Sequence, residues 1–287
     1  MDKWKLNNWI LFLLIVTFIS CNKEKKVVKT FYDNGKIHTI TSFNKDNKIE
    51  GLVQIFFDSG ELQANLIYKN GIEIDSSVYF HKNGKIQIVS YPLKNDYKLN
   101  KYFYKNGKLS REGKLKNFNK IGWWKFYNND GSLKEEIEFL DINDMEHLKF
   151  RNREYINQYK KYKLGKLLKK ESSFFALNLN DTLTLGKSIG DIIYTSEFSD
   201  QSVIYVCIGY DLKPDFSNIS QVKLDTFGIQ KEDTWFGVKY QSPGKKTLRG
   251  FIIEDYYKKI KTKSNDKSYD IIKIPHRKYF EKSIYVK

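Results

Sequence analysis

Few groups of residues in this sequence have the types and spacing that catalysis or metal binding requires. The tripeptide Gly-Lys-Ser at residues 186–188 matches the end of a phosphate-binding loop, but the first glycine of that motif would fall on Asp181. Residues 141–146 carry carboxylates without the central glycine and distant glutamate of a calcium loop, so we expect them to cap a helix. We predict a protein that is not an enzyme and has no cofactor or metal. No metal or triad spacing is found among the histidines, which are His38, His81, His147 and His276.

Cys21 is the residue whose chemistry the sequence indicates most directly. Lys3 and Lys5 precede an apolar or hydroxyl-bearing stretch of eleven residues, 9–19. That length suits a secretory h-region and is too short for a spanning helix, which needs about 20 residues. The tetrapeptide Phe-Ile-Ser-Cys at residues 18–21 follows, then a polar run, and it resembles the lipobox of bacterial lipoproteins.

The lipobox resemblance implies that residues 1–20 are a signal peptide cleaved before Cys21. In that family the cysteine sulfur receives a diacylglyceryl group, and the new amino terminus is often acylated as well. Two or three acyl chains such as palmitate anchor a protein stably, whereas one binds only marginally. Residues 21–30 would then be the lipidated cysteine and its tether. We expect a membrane-anchored lipoprotein of the bacterial cell envelope, in the outer membrane where the source has one.

The remaining cysteine and the composition fit an exported β-rich protein. If Cys21 is acylated, Cys207 has no partner in the chain, and we expect it to be a small buried apolar residue. Forty per cent of the 287 residues are hydrophobic, with 20 tyrosines and 20 phenylalanines, which favours strands and two modest domains. The net charge of +16 is spread along the chain and densest over residues 146–171. This favours a solvated lysine-covered surface over a nucleic-acid site, and leaves weak attraction to anionic lipids or polymers open.

A repeat of about 24 residues decides the predicted architecture. Each turn glycine follows a turn-forming residue, with an aromatic residue four positions before it and an aliphatic residue two positions after it. A single strand-turn-strand unit is too small to bury its own apolar face, so stacked neighbours must supply the core. We predict an array of β-hairpins over residues 31–140. The glycines are Gly35, Gly60, Gly84, Gly107 and Gly131, the aromatics Phe31, Phe56, Phe80, Phe103 and Tyr127, and the aliphatics Ile37, Leu62, Ile86, Leu109 and Leu133.

The position of the recurring aromatic residue specifies the type of turn. A two-residue loop would pair the residue three positions before the glycine with the residue two positions after it. A three-residue loop with a left-handed glycine pairs the aromatic residue with the aliphatic residue instead. We therefore predict three-residue turns with a glycine bulge, in which Phe103 faces Leu109 around Gly107.

Several of these segments resemble the bacterial MORN-repeat variant. They include residues 31–37, 102–109 and 122–127, and the resemblance covers residues 27–140, under half of the chain. It implies hairpin repeats. Proteins of this kind are often labelled antitoxin-like, a cytoplasmic role that fits poorly with export, and related MORN repeats are implicated as scaffolds and as lipid binders.

The region after the array is predicted to be a basic linking helix over residues 141–171, ended by Gly165. It would either pack on a neighbouring domain or lie on a membrane surface. The face that its apolar side chains would share consists of Met145, Leu148, Tyr155, Tyr159 and Tyr162.

Residues 172–287 are predicted to form a second β-rich domain. About seven short strands in about 115 residues indicate a β-sandwich. Residues 243–254 resemble the closing hairpin of immunoglobulin-like bacterial domains, although the Cys-Trp-Cys pattern of antibody domains is absent. The predicted strands include Ser173–Leu179, Val203–Tyr210, Thr234–Tyr240, Thr247–Glu254, Asp270–Ile274 and Lys282–Val286.

Two functions fit these features. An anchored chain with a repeat sheet and a sandwich would serve as a scaffold that binds another protein of the cell envelope. Alternatively, outward aromatic residues, such as some of those at 102–104 and 123–124, would stack on surface glycans while lysines attract an anionic polymer or lipid.

Overall fold

A computed structural model describes residues 26–148, 151–196, 203–228, 233–261 and 269–287. Within these ranges the chain is mainly β-strand, which confirms the predicted fold class. The predicted signal peptide and Cys21 lie outside the described residues. Among the described residues, none of the helices combines the length and the apolar character needed to span a membrane.

The first part of the chain forms one antiparallel sheet of 13 strands. Neighbouring strands in the sheet are consecutive in the sequence, except that β4 pairs with β6 as well as with the short strand β5. This sheet is called the array below. The strands are β1 Lys26–Phe31, β2 Ile37–Phe43, β3 Gly51–Phe56, β4 Leu62–Lys69, β5 Ile72–Glu73, β6 Ser77–Phe80, β7 Ile86–Pro92, β8 Tyr97–Phe103, β9 Leu109–Lys116, β10 Asn119–Tyr127, β11 Leu133–Ile142, β12 Asn152–Lys163 and β13 Lys166–Leu167.

The predicted hairpin register is confirmed at all five turns. Phe103 pairs with Leu109, and the register shifts immediately before this pair, as a bulge requires. Gly107 has φ +92° and donates its backbone N–H to Tyr104 O at 2.8 Å, which closes the turn. The other four turns have the same pairing and a glycine at positive φ, with the pairs Phe31–Ile37, Phe56–Leu62, Phe80–Ile86 and Tyr127–Leu133.

Side chains of one turn donate hydrogen bonds to the backbone of the next turn. In the fourth repeat Tyr104 Oη donates to Tyr127 O at 2.7 Å, Asn106 Nδ2 to Asn129 O at 3.0 Å, and Lys108 Nζ to Asp130 O at 2.7 Å. Because these bonds recur between repeats, they form a ladder along the edge of the sheet where the glycine turns lie, which is called the turn edge. The same positions make equivalent contacts in the first and third repeats, through Tyr32, Asn34 and Lys36 and through His81, Asn83 and Lys85.

The predicted linking helix over residues 141–171 is wrong. Strand β12 runs antiparallel to β11 through the middle of this region, and Gly165 lies in the following turn at φ +73°. A bulge in β12 places Tyr155 opposite Leu140 and Tyr159 opposite Ile137, so the two tyrosines lie on opposite faces of the sheet. The bulge interrupts the alternation of side chains along the strand, which gives these residues a spacing that resembles that of a helix. Pairing with β11 nevertheless makes the segment a strand.

The C-terminal residues form two further sheets that pack face to face, which confirms the predicted sandwich. One has the order β14-β16-β19 and the other β15-β21-β20-β17-β18. Their inner faces share one core, which contains Ile192 and Phe236 from the first sheet and Ile252 from the second. Two predicted short strands are parts of the single strand β21. The strands are β14 Phe174–Asn178, β15 Thr182–Leu183, β16 Gly186–Thr195, β17 Val203–Gly209, β18 Asp225–Gly228, β19 Asp233–Tyr240, β20 Gly244–Lys261 and β21 Tyr269–Val286, and short 3-10 helices span Lys169–Glu171 and Ile219–Gln221.

Replacing Gly107 by valine should lower the free energy of unfolding by about 1–2 kcal/mol, because a β-branched residue resists positive φ. A side chain there meets only Lys85 Cδ at 3.8 Å, so the cost would come from the backbone and not from a clash. Urea denaturation of the purified protein measures this change. Gly228→Val is the control, since that glycine lacks positive φ and has open space around it; equal losses in both variants would contradict the predicted turn strain.

Candidate functional site

A groove of about 640 Å³ lies where the array meets the C-terminal sheets, and is called the junction groove. The array contributes one wall, including Tyr97, Ile121, Glu138 and Leu140. The opposite wall comes from the C-terminal part of the chain and consists mainly of apolar side chains. That wall includes Phe175, Leu177, Phe216, Tyr279 and Phe280.

The face of the array that lines the groove carries further apolar side chains on the preceding strands. Strand pairing places Val78 opposite Val89, and Leu52 opposite Ile67, on the face opposite to the buried residues Val53, Ala64 and Leu66. We call this the outer face. Its apolar side chains are half-buried or exposed, and no second layer covers them among the described residues. The resulting apolar stripe consists of Leu52, Ile67, Val78, Val89 and Leu99.

An asparagine side chain makes two of the hydrogen bonds that join the two halves of the groove. Asn157 lies at the bulge of β12, where the register against β11 skips from Gln158 to Ile156. Its side chain accepts a hydrogen bond from Tyr279 N at 2.7 Å and donates one to Tyr279 O at 2.8 Å. The amide therefore pairs with the backbone of β21 as a neighbouring strand would. Asn157 is only 1% exposed, so these bonds are shielded from water.

A buried acidic group reinforces the same junction. Asp144 is 1% exposed and accepts hydrogen bonds from the Arg277 guanidinium and, at 2.7 Å, from Tyr279 Oη. Burial and the bond to Asp144 raise the pKa of Tyr279, which keeps its hydroxyl protonated as a donor. Asp144 also accepts from the backbone N–H groups of Glu146 and His147, so it orders a turn where we expected a helix cap. This cluster serves to hold the fold together, because its carboxylate is fully engaged.

Charged residues surround the apolar walls of the groove. At the rim, Arg151 donates two hydrogen bonds to Asp141, at 3.0 and 2.8 Å, and both residues line the groove. A smaller cleft of about 240 Å³ adjoins this rim and is lined by further cations, including Arg153. An apolar centre with a charged rim is the composition typical of protein–protein interfaces.

The candidate residues singled out from the sequence do not assemble into a catalytic site. Residues 186–188 begin strand β16 instead of forming a phosphate loop. His81 contacts Phe103 O at 3.0 Å in the turn ladder, and burial is the main cause that lowers the pKa of His147. No group of three metal-ligating side chains is found in the described part of the chain. Cys207 is a free, buried cysteine, and burial raises the pKa of its thiol.

The two adjacent tryptophans have different environments. Trp124 is buried, its Nε1 donates to Lys114 O at 3.0 Å, and its ring covers Gly113 closely. Trp123 is half exposed on the outer face, with Lys160 Nζ at 5.1 Å from its ring centre. The alternation predicted from the sequence therefore separates a core residue from a surface residue. The junction groove itself was not predicted, since its walls come from distant parts of the chain.

Comparison with known proteins supports the repeat assignment at two places. The family described as the MORN repeat variant matches residues 26–45 and 122–141. These segments contain the first and last glycine turns of the array, and the three hairpins between them have the same turn geometry. No curated protein matches the chain. The chain thus contains MORN-variant repeats at these two sites.

Replacing Asn157 by alanine should lower the free energy of unfolding by about 2–4 kcal/mol, because the N–H and C=O groups of Tyr279 would be buried without partners. Urea denaturation measures the loss, and faster hydrogen exchange at the Tyr279 amide would locate it. Asn119→Ala changes a half-buried asparagine in the same sheet and should have little effect. Similar losses in the two variants would show that the junction does not depend on Asn157.

Proposed function

We propose that the protein is a lipid-anchored scaffold of the bacterial cell envelope that binds another envelope protein. The observation that carries this proposal is the apolar stripe of the outer face, which leads into the junction groove. An uncovered apolar surface with a charged rim favours a protein partner over a small molecule. The partner would cover the stripe and insert side chains into the groove.

The position of the first strand, β1, supports attachment of the lipid anchor near one edge of the array. Lys26, the first residue of β1, pairs with Phe43 beside the loops that connect successive hairpins, an edge called the return-loop edge. Cys21 precedes Lys26 by five residues, so its acyl chains would lie within about 18 Å of this edge. Apolar side chains exposed there would lie near the membrane surface. They include Ile72 at 69%, Leu93 at 44% and Phe118 at 92% exposure.

Acylation is tested by replacing Cys21 with serine in the full-length gene. We expect the variant to lose incorporation of a labelled palmitate analogue and to leave the membrane fraction. Cys207→Ser is the matched control, because that thiol is buried and should not affect labelling. Continued labelling of Cys21→Ser, or unchanged membrane association, would overturn the proposed anchor.

The partner surface is tested by photo-crosslinking in the native cell. A photoactivatable residue at Val89 or Tyr97 should give one adduct of defined mass, and Leu99→Asp should abolish it by placing a charge in the stripe. Lys105, at the tip of a turn, is the control position because it lies on the turn edge, away from the stripe. Equal adducts from Lys105, or none from Val89 and Tyr97, would contradict the proposed surface.

A further inference from the structure

A second surface lies on the three-stranded sheet, on the side that faces away from the sandwich core. Pairing aligns Asn178, Asp191 and Trp235 in one row across β14, β16 and β19. Their neighbours Ile192 and Phe236 point into the core, so the row points outward. Trp235 is 67% exposed, and Asn178 Nδ2 donates to Asp191 Oδ2 at 2.7 Å. A shallow depression of about 390 Å³ adjoins the amide and the carboxylate.

Gly237 occupies the outward position next to Trp235, directly opposite Ile189. A Cβ atom built there meets no atom within 4 Å, and the glycine does not have positive φ. The pairing of β16 with β19 continues past it without a bulge. Neither packing nor backbone geometry therefore requires glycine, although glycine weakens a strand interior. Glycine in a strand interior also occurs where a ligand approaches the sheet closely, and the open space at Gly237 suits such an approach.

Two lysines stand at the end of the same surface. Lys187 and Lys239 are directly opposite each other across β16 and β19, and both are exposed. Like charges at opposed positions destabilise a sheet, and an anion bound between them would offset the repulsion. Lys239 lies four residues from Trp235, a separation of about 13 Å along the strand. The surface thus has an aromatic end with hydrogen-bonding groups and a cationic end.

We propose that this face binds an acidic polysaccharide. One sugar ring stacks on the exposed indole of Trp235, while the amide of Asn178 and the carboxylate of Asp191 bind its hydroxyl groups. The polysaccharide runs along β19 above Gly237, where the missing side chain leaves room, and its carboxylate groups reach Lys187 and Lys239. Asp191 lies away from the lysine pair, so it binds hydroxyls and not the anionic groups.

The test uses the full mature chain and a trimer of galacturonic acid, with the fully methyl-esterified trimer as an uncharged match. Calorimetry and tryptophan fluorescence should show saturable binding of the acid, which weakens with salt, and weaker binding of the ester. Trp235→Ala and Gly237→Val should each reduce affinity for the acid at least about tenfold. Gly237→Val should keep or raise stability, because valine suits a strand and has open space here.

Changing both Lys187 and Lys239 to glutamine should remove the preference for the acid while leaving binding of the ester. Tyr285→Ala, which alters an exposed aromatic residue of the five-stranded C-terminal sheet, should leave both affinities unchanged. Absence of binding to the acidic trimer would overturn the proposal, as would unchanged affinity in Trp235→Ala and Gly237→Val. Equal binding of inorganic polyphosphate would show attraction to charge alone and would also overturn it. None of these outcomes depends on the protein partner of the outer face.

Discussion

The arrangement of the molecule depends on the bulge at Asn157. Asn157 is the extra residue of β12, because Gln158 and Ile156 pair with consecutive residues of β11. The side-chain amide of Asn157 forms hydrogen bonds with both the N–H and the C=O group of Tyr279. The bulge also turns Tyr155 toward the core that contains Phe251 and Tyr279. One extra residue therefore supplies a polar contact with Tyr279 and directs Tyr155 into the apolar contacts beside the junction groove.

The array itself depends on contacts between turns as much as on strand pairing. Glycine and the preceding asparagine set the turn, and the tyrosine or histidine and the lysine around them bind the next turn. In the second repeat the corresponding positions are Phe57 and Glu61, which cannot donate these hydrogen bonds. There Lys82 of the third repeat contacts Asp58 instead, at 3.4 Å. The repeated motif thus encodes stacking between hairpins in addition to the hairpin.

The sequence predicted local geometry well and long-range packing poorly. The register of Phe103 against Leu109 follows from spacing alone, because the turn and its two flanking strands are adjacent in the chain. The helix over residues 141–171 was wrong because a bulge imitates helical periodicity in a single sequence. The groove could not be predicted, since Tyr97 and Phe280 are far apart in the sequence and line the same groove only in the folded chain. Acylation of Cys21 stays a prediction, resting on the lipobox resemblance.

One end of the outer face of the array is covered by the C-terminal part of the same chain. At its C-terminal end, Leu140 and Tyr155 lie on this face. They belong to the apolar cluster that also contains Phe251 and Tyr279 of the C-terminal sheets. On strands β3 to β8 the same face carries the apolar stripe, together with polar residues such as Asn65 and Lys101. Apolar side chains of this face are thus covered at one end of the array and uncovered at the other. A partner protein bound to the apolar stripe would therefore cover the rest of this face in the way that the C-terminal sheets cover one end of it.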